Sequence, residues 1–269
     1  MLISQIGIVL LIGLIAGVMS GMFGIGGGVI IVPALIIFAG VPQTLANGTS
    51  LTALLLPVAI FAVLAYYRAK LIDIKASALI ALGLVTGVFG GAKIALNLPS
   101  KTLMQLYGLF LLYASWRFIE PVGLWQSIFK KEKNDFPNAY SKTIKKPNSN
   151  AFLILLLGII AGLFSGLFGI GGGVIIVPVL STFFHYNHKI AIGTSLGALL
   201  LPVGLPGVIC YGLAGQFDVL LAAPVALGLL VGAIFGANIT IRLPSTIIRK
   251  LYGLFLLLIA LNYIFQGWI

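Results

Sequence analysis

The chain contains an internal repeat, and this repeat constrains the fold more than any other feature of the sequence. The stretch GMFGIGGGVIIVP, which begins at Gly21, returns 145 residues later as GLFGIGGGVIIVP from Gly166. The same offset aligns residues 12–119 with the second half without a gap, and about half of the aligned positions are identical. A unit duplicated within one chain folds as two similar structures that pack on each other. We therefore predict two homologous halves.

Three ranges follow from this alignment and from composition. The first repeat covers 1–119, a polar and basic linker covers 120–150, and the second repeat covers 151–269. Apolar residues make up 60% of the chain and charged residues only 8%. A soluble domain has about 25% charged residues, so the composition excludes a soluble fold and predicts an integral membrane protein. The single cysteine excludes a disulfide framework and a cysteine-based metal site, and the two histidines leave little for other metal chemistry, so no metal or cofactor is expected.

Each repeat divides into five apolar segments, which predicts an all-α polytopic membrane protein. The segments are approximately 3–20, 25–40, 45–66, 76–96 and 102–119, then 152–165, 170–184, 190–211, 219–241 and 247–265. A membrane span needs about 20 apolar residues, so the third, fourth and fifth segments of each half are expected to span. We predict that the first two are short, or broken at the glycine run between them.

The positions of lysine and arginine predict the orientation in the bilayer. Cytoplasmic loops are enriched in these residues, and the linker is rich in lysine. With a cytoplasmic linker, fourteen of the sixteen basic residues lie on the inner side, and only Lys93 and Lys101 do not. An odd number of segments per repeat then inserts the two repeats in opposite orientations. We expect both termini outside the cell, and inverted repeats of this kind are typical of secondary transporters.

The glycine runs are the first candidate site. Glycine permits positive φ and close backbone approach, and N–H groups at the start of a following helix attract anions. Tight helix packing is the alternative explanation, because small residues are common where membrane helices meet. The candidate substrate-binding glycines are Gly24, Gly26, Gly27 and Gly28, with Gly169, Gly171, Gly172 and Gly173.

A second candidate element opens the third segment of each half. Its hydroxyl and N–H groups either cap the helix or coordinate an anion. The residues are Asn47, Gly48, Thr49 and Ser50 in the first repeat and Gly193, Thr194 and Ser195 in the second. Prolines recur as candidate helix breaks with a role in packing or gating: Pro33, Pro57, Pro178 and Pro202.

Charged residues within the apolar segments are few. Asp73 and Asp218 are interpreted as N-caps of the fourth segments. Lys93 lies inside an apolar stretch, where it either snorkels to the outer surface or attracts an anion. Apart from the two aspartates, the apolar segments contain no Asp or Glu. A cation-binding core is therefore disfavoured, because cation exchangers and proton pumps place carboxylates within the membrane.

These residues resemble a known family. The paired Gly-x-Gly-Gly-Gly-x-x-x-x-Pro motifs, the paired Gly-Thr-Ser and the length look like the sulfite exporter TauE/SafE family of bacterial membrane permeases. The resemblance covers nearly the whole chain. It implies a permease of the bacterial inner membrane for sulfite, thiosulfate or organosulfonates, with about eight spans rather than ten.

We expect a secondary transporter of small sulfur-containing anions, with its site at the repeat interface near the midplane. Two alternatives stay open: an anion channel with the same donors, and a non-catalytic membrane subunit of a larger assembly. An enzyme is disfavoured, because the segments contain no plausible set of catalytic side chains. The expected partners are the anion and the lipid bilayer, with homo-oligomerisation open and no nucleic acid.

Overall fold

The computed structural model describes residues 3–56, 60–119, 150–242, 253–254, 256–261 and 263. Within these ranges the chain is helical and contains no strand. The helices are α1 (Ile3–Phe23), α2 (Gly28–Ala39), α3 (Gln43–Leu55), α4 (Ile60–Arg68), α5 (Ile74–Asn97), α6 (Ser100–Ile119), α7 (Ala151–Phe168), α8 (Gly173–Thr182), α9 (His188–Leu199), α10 (Leu205–Leu213) and α11 (Val219–Arg242). The predicted all-α architecture is confirmed, and α7–α11 repeat the order of α1–α5. The linker up to residue 149 lies outside the described residues.

Two helix pairs connect the repeats, and glycine makes both possible. α1 packs on α11, and α5 packs on α7. At Gly87 of α5 an added Cβ would collide with Ile159 O and lie 2.7 Å from Leu163 N of α7, and an added Cβ at Gly232 of α11 would collide with Leu14 O of α1. Small residues at a spacing of four let membrane helices approach this closely. Glycines with backbone contacts of this kind occur at positions 13, 17, 21, 83, 87, 91, 158, 162, 166, 228, 232 and 236.

The direction of these pairs agrees with opposed repeats. Gly13 meets Val225 and Gly17 meets Leu229, so contacts advance in the same direction along α1 and α11. α5 and α7 are parallel by the same criterion. The predicted topology sends α1 and α11 across the membrane in one direction and α5 and α7 in the other. The observed pairing is therefore the one that this inverted arrangement requires.

The membrane spans differ from the prediction. Four helices are long and apolar enough to cross a membrane, namely α1, α5, α7 and α11, and α3 with α4 would form a fifth if taken as one bent span. The first segment of each half is therefore long and apolar enough to span, whereas we predicted a short one. The third segment is two helices in each half, and in the second repeat the break between them contains Pro202, which was predicted to be a helix break. α6 has 20 residues but is less apolar than these four.

Local sequence explains the short helices. α2 and α8 have 12 and 10 residues, too few for a span. Each starts after a glycine in the left-handed region, Gly27 at φ 78° and Gly172 at φ 81°. Gly40, at φ 66°, ends α2 and returns the chain towards α3. We predicted short second segments, and this part of the prediction is confirmed.

The outer surface is apolar, as a bilayer requires. On α5 the exposed side chains include Leu82, Val85 and Phe89, and on α11 they include Leu227 and Phe235. Their spacing of three, four or eight residues places them on one helix face. Apolar surface this extensive on a water-soluble monomer would be unusual. It indicates a lipid-facing surface around the interior that contains the glycine runs.

Candidate functional site

The two glycine runs meet where the repeats contact each other. A Cβ at Gly171 would lie 3.6 Å from Gly26 Cα, and a Cβ at Gly26 would lie equally close to Gly171 Cα. An added Cβ at Gly28 would collide with Gly169 O, and one at Gly173 would collide with Gly24 O. The last glycine of each run thus abuts the first glycine of the other. The runs pass each other in opposite directions around a pseudo-two-fold axis.

Backbone N–H groups are concentrated in these buried runs. Gly24 N–H donates to Ser20 O at 2.7 Å, and Ile30 and Ile31 donate to Gly27 O. Among the described residues, no acceptor is found for the N–H groups of 25–29. The second run is equivalent, and the N–H groups of 170–174 find no acceptor there. Buried N–H groups are almost always paired, so ten such donors in two symmetric sets form an unusual feature of this structure.

Hydroxyl groups of one repeat bind the glycine run of the other. Ser50 Oγ donates to Gly169 O at 2.8 Å, and Ser195 Oγ donates to Gly24 O at 2.7 Å. Both serines are fully buried. The structure therefore brings the two predicted elements together, since each Gly-Thr-Ser sequence touches the glycine run of the opposite repeat.

The threonines hold the turns that precede the long helices. Thr49 Oγ1 accepts from the Asp218 N–H at 3.0 Å, and Thr194 Oγ1 accepts from the Asp73 N–H at 3.0 Å. The glycine before each threonine lets the backbone of the opposite repeat approach the helix, since an added Cβ at Gly48 would collide with Gln216 O. Each Gly-Thr pair thus positions the start of a spanning helix from the opposite repeat.

The prediction that these residues open their helices is wrong. α3 begins at Gln43 and α9 begins at His188, where the Asn187 side chain accepts from the Lys189 N–H at 3.0 Å. Thr49 and Thr194 therefore lie in the second turn of their helices. Their backbone N–H groups are inside the helical hydrogen-bond pattern, and only their side chains are available for cross-repeat contacts.

Asn47 has no counterpart in the second repeat, where Ile192 occupies the equivalent position. Its Nδ2 donates to Leu167 O at 3.0 Å, and its Oδ1 accepts from Gln43 Nε2 at 3.1 Å. Both side chains are buried, and Gln43 Oε1 finds no partner within the described part of the chain. Gln43 was not among the predicted site residues, although its position four residues before Asn47 places it on the same helix face.

Two tyrosines of the site were also missed. Tyr211 donates its hydroxyl to Gly166 O at 2.9 Å, and the equivalent Tyr66 donates to Gly21 O at 3.4 Å. Both are fully buried. They bind carbonyls three residues before the first glycine of each run. The repeat alignment contains the signal, because the offset of 145 maps Tyr66 onto Tyr211.

The charged residues are placed away from the glycine runs. Asp73 caps α5 by accepting from the Ala76 N–H, and Asp218 caps α11 by accepting from the Leu220 N–H. The prediction of two N-caps is confirmed. Lys93 is exposed on α5, with its Nζ 4.3 Å from the centroid of the Phe89 ring. The structure thus does not bring this cation to the buried runs.

The prolines have different surroundings. Pro33 and Pro178 lie inside α2 and α8, and Pro202 lies between α9 and α10 rather than inside a helix. Pro57 lies outside the described residues. Among the residues that the structure describes, no group of three His, Cys, Asp or Glu side chains is placed to hold a metal ion. The described site consists of neutral hydrogen-bond donors.

Comparison with known proteins supports a membrane transporter. The family model described as sulfite exporter TauE/SafE matches residues 9–263. A probable membrane transporter protein of Bacillus subtilis is 26% identical over 273 residues, covering 97% of each chain. A probable membrane transporter protein of Haemophilus influenzae is 29% identical over 94% of this chain and 96% of its own. One of Methanocaldococcus jannaschii is 28% identical over 90% and 88%. No solved structure matches the chain.

Proposed function

Because the chain belongs to the sulfite exporter TauE/SafE family, a family of membrane transporters, we propose that it carries small sulfur-containing oxyanions such as sulfite, thiosulfate or organosulfonates. The substrate would bind between the two glycine runs. The observation that supports this site is the double set of buried N–H groups without acceptors, over residues 25–29 and 170–174.

The chemistry of these groups suits an anion. Transfer of an anion out of water is strongly unfavourable unless several donors replace its hydration shell. The first turns of α2 and α8 supply backbone N–H groups and the positive ends of two helix dipoles. Ser50 and Ser195 lie next to these turns and add two hydroxyl donors. Neutral donors bind a charged substrate reversibly without a permanent buried cation.

The contact between the runs supports a transporter mechanism. Gly26 and Gly171 lie too close to admit an oxyanion between them in this conformation. Binding would require the two repeats to move apart, and the hydroxyls of Ser50 and Ser195 would exchange their carbonyl acceptors for the anion. Because each repeat contributes one run and one serine, rocking of one repeat against the other would expose the site to alternate sides of the membrane.

We propose that the basic end faces the cytoplasm of a bacterial cell, as the distribution of positive charge predicts. Tyr186 donates to Asp73 Oδ2 at 3.1 Å, so the turns at 69–73 and 183–187 lie at the same end of the molecule. Arg68 and Lys70 belong to this end. At the other end, Thr44 donates to Gln216 Oε1 at 2.8 Å and joins two turns that contain no Lys or Arg.

The test is uptake of labelled thiosulfate and sulfite into proteoliposomes of the purified protein. A pH gradient or a voltage is imposed, and sulfonates, sulfate and chloride are added as competitors. We expect saturable uptake that one class of sulfur anion inhibits. Failure of folded protein to move any of these anions would overturn the proposed substrate class. Conductance far above carrier turnover in a planar bilayer would favour a channel.

A matched pair of variants tests the location of the site. Gly26→Ala adds one methyl group, whose nearest contact is the flexible end of Leu199 at 3.2 Å. Gly215→Ala carries a similar backbone penalty, since both glycines have positive φ, but its Cβ would meet nothing within 4 Å. We expect Gly26→Ala to abolish most uptake and Gly215→Ala to retain it. Equal uptake by the two variants, at equal folded yield, would contradict the glycine site.

A further inference from the structure

An open cavity of about 440 Å³ lies outside the proposed transport site. It is lined by Tyr67, Arg68, Lys70 and Ile72, where α4 ends and the chain turns into α5. Neither cation forms a salt bridge with a carboxylate in the described part of the chain. The nearest acid in sequence, Asp73, is already bound, since Oδ1 accepts from the Ala76 N–H and Oδ2 from the Tyr186 hydroxyl. The cavity therefore presents two cations whose charge is not balanced by Asp73.

Lys70 occupies this turn against the preference of its backbone. Its φ is 57°, in the left-handed region that residues other than glycine seldom adopt. The equivalent residue of the second repeat is Gly215, at φ 67°. The two repeats thus form the same turn, and only one of them uses the residue that the backbone favours. The turn itself therefore does not call for a lysine at this position.

The second repeat also lacks the other cation. Leu213 stands where the first repeat has Arg68, and Gly212 stands where it has Tyr67. Both positions precede a long spanning helix in the same way. The basic cavity is therefore not a requirement of the fold, because the chain builds the equivalent turn without any of its charged residues.

An apolar stripe leads along α4 to the cavity. Ile60, Phe61, Leu64 and Tyr67 are 43–58% exposed, and their spacing places them on one face of the helix. The spanning helix α5 begins with Ile74, immediately after the turn. The cavity thus lies at the level where a membrane span ends and lipid headgroups are found, with an apolar surface that extends from it towards the membrane interior.

We propose that this cavity binds the phosphate group of an anionic phospholipid, with Arg68 and Lys70 as its ligands and the acyl chains along the α4 stripe. Arginine recognises phosphate through paired N–H donors, and lysine adds a compact positive charge. Basic pockets at the cytoplasmic ends of membrane helices are suited to such headgroups. A free oxyanion could bind the same two cations, but it has no acyl chain to contact the apolar stripe.

The experiment titrates purified protein in detergent with phosphatidylglycerol or with phosphatidylcholine of the same acyl chains, and native mass spectrometry counts the bound lipids. The test variant is Arg68→Leu with Lys70→Gly, which gives the first repeat the residues of the second. Each cation is worth a factor of about five in affinity for an anionic surface. We expect about fivefold weaker phosphatidylglycerol binding for each single variant and about thirtyfold for the double variant.

Lys101→Leu is the charge-matched control for each single variant, because it removes one positive charge and Lys101 is exposed and does not line the cavity. It should bind phosphatidylglycerol as the unmodified protein does. The double variant should melt no lower than the unmodified protein, since glycine suits the turn. Equal affinity of the unmodified protein for both lipids, or unchanged affinity in the double variant, would overturn the proposal. Displacement of the lipid by millimolar inorganic phosphate would identify a free oxyanion as the ligand and overturn the lipid assignment.

Discussion

α3 and α9 are equivalent helices of the two repeats. They make one set of contacts in common, and α3 makes a second set that α9 lacks. Both use a serine to bind the opposite glycine run and a threonine to hold the opposite turn. Only α3 adds the buried pair Gln43 and Asn47, which bind each other and the end of α7. The shared contacts maintain the pseudo-two-fold arrangement. The unshared pair makes the two sides of the interface chemically different.

The ends of the molecule show a similar difference. Apart from the glycine runs, each repeat has two turns with a residue at positive φ. At the end that contains Thr44 and Gln216 these residues are Gly40 and Gly215, and at the other end they are Lys70 and His185. A two-fold axis in the membrane plane would make the ends equivalent. A bilayer has two different sides, and at these four turn positions the sequence has cationic or titratable residues at one end only.

The largest expected effect comes from breaking the contacts that both repeats share. Gly87→Val places a side chain against Ile159 O and within 2.7 Å of Leu163 N, and Gly232→Val does the same against α1. Overpacking against backbone that cannot move should cost about 3 kcal/mol or more. We expect both variants to lose most folded protein in fluorescence-detected size-exclusion chromatography. Gly90→Val, which meets nothing within 4 Å, is the control. A stable Gly87→Val protein would refute the close helix approach.

A smaller effect is expected from making α3 resemble α9. Asn47→Ile introduces the residue of the second repeat and leaves Leu167 O and Gln43 Nε2 without these partners. A buried polar group that loses its partner costs about 1–3 kcal/mol, so the melting temperature should fall. Adding Gln43→Leu removes Nε2, one of the two polar groups left without a partner, and should restore part of the lost stability. If the double variant is less stable than Asn47→Ile alone, the pair is not coupled in this way.

The smallest expected effect concerns the two aspartate caps. Asp218→Ala removes an N-cap, which costs about 1 kcal/mol. Asp73→Ala also removes the acceptor of the Tyr186 hydroxyl at 3.1 Å, so it should cost about 1 kcal/mol more. Thermal unfolding of both variants in the unmodified and Tyr186→Phe backgrounds measures this difference. In the Tyr186→Phe background the two Asp→Ala substitutions should cost the same stability. If Asp73→Ala still costs more, the difference comes from another contact.

Much of the fold could be predicted from the sequence because a bilayer imposes simple rules. The 60% apolar composition required a membrane protein, and the repeat at an offset of 145 residues required two similar halves. Aspartates in front of long apolar stretches predicted helix caps that the structure contains. These inferences depend on local composition and on identity between two segments, both of which can be read without knowing which helices touch.

The errors arose where packing overrides local pattern. Hydropathy delimited 45–66 as one segment, and the structure divides it into α3, which ends at Leu55, and α4, which starts at Ile60, although the two together would form one bent span. The first segment of each half was underestimated, because its apolar stretch was judged shorter than the roughly 20 residues of a span and ended before the glycine run. In the structure Gly13, Gly17 and Gly21 lie against the backbone of α11, and this packing stabilises a helix that glycine alone would weaken.

The sequence by itself determined the membrane class, the duplication, the glycine runs and the residues that recur in both copies. Only the tertiary structure decided which helices of the two repeats contact each other. It showed that α1 pairs with α11 and α5 with α7, that each serine binds the opposite run, and that the two runs touch around one axis. The physical reason is that composition acts within a segment, whereas a contact between residues 50 and 169 depends on the close packing of helices distant in sequence.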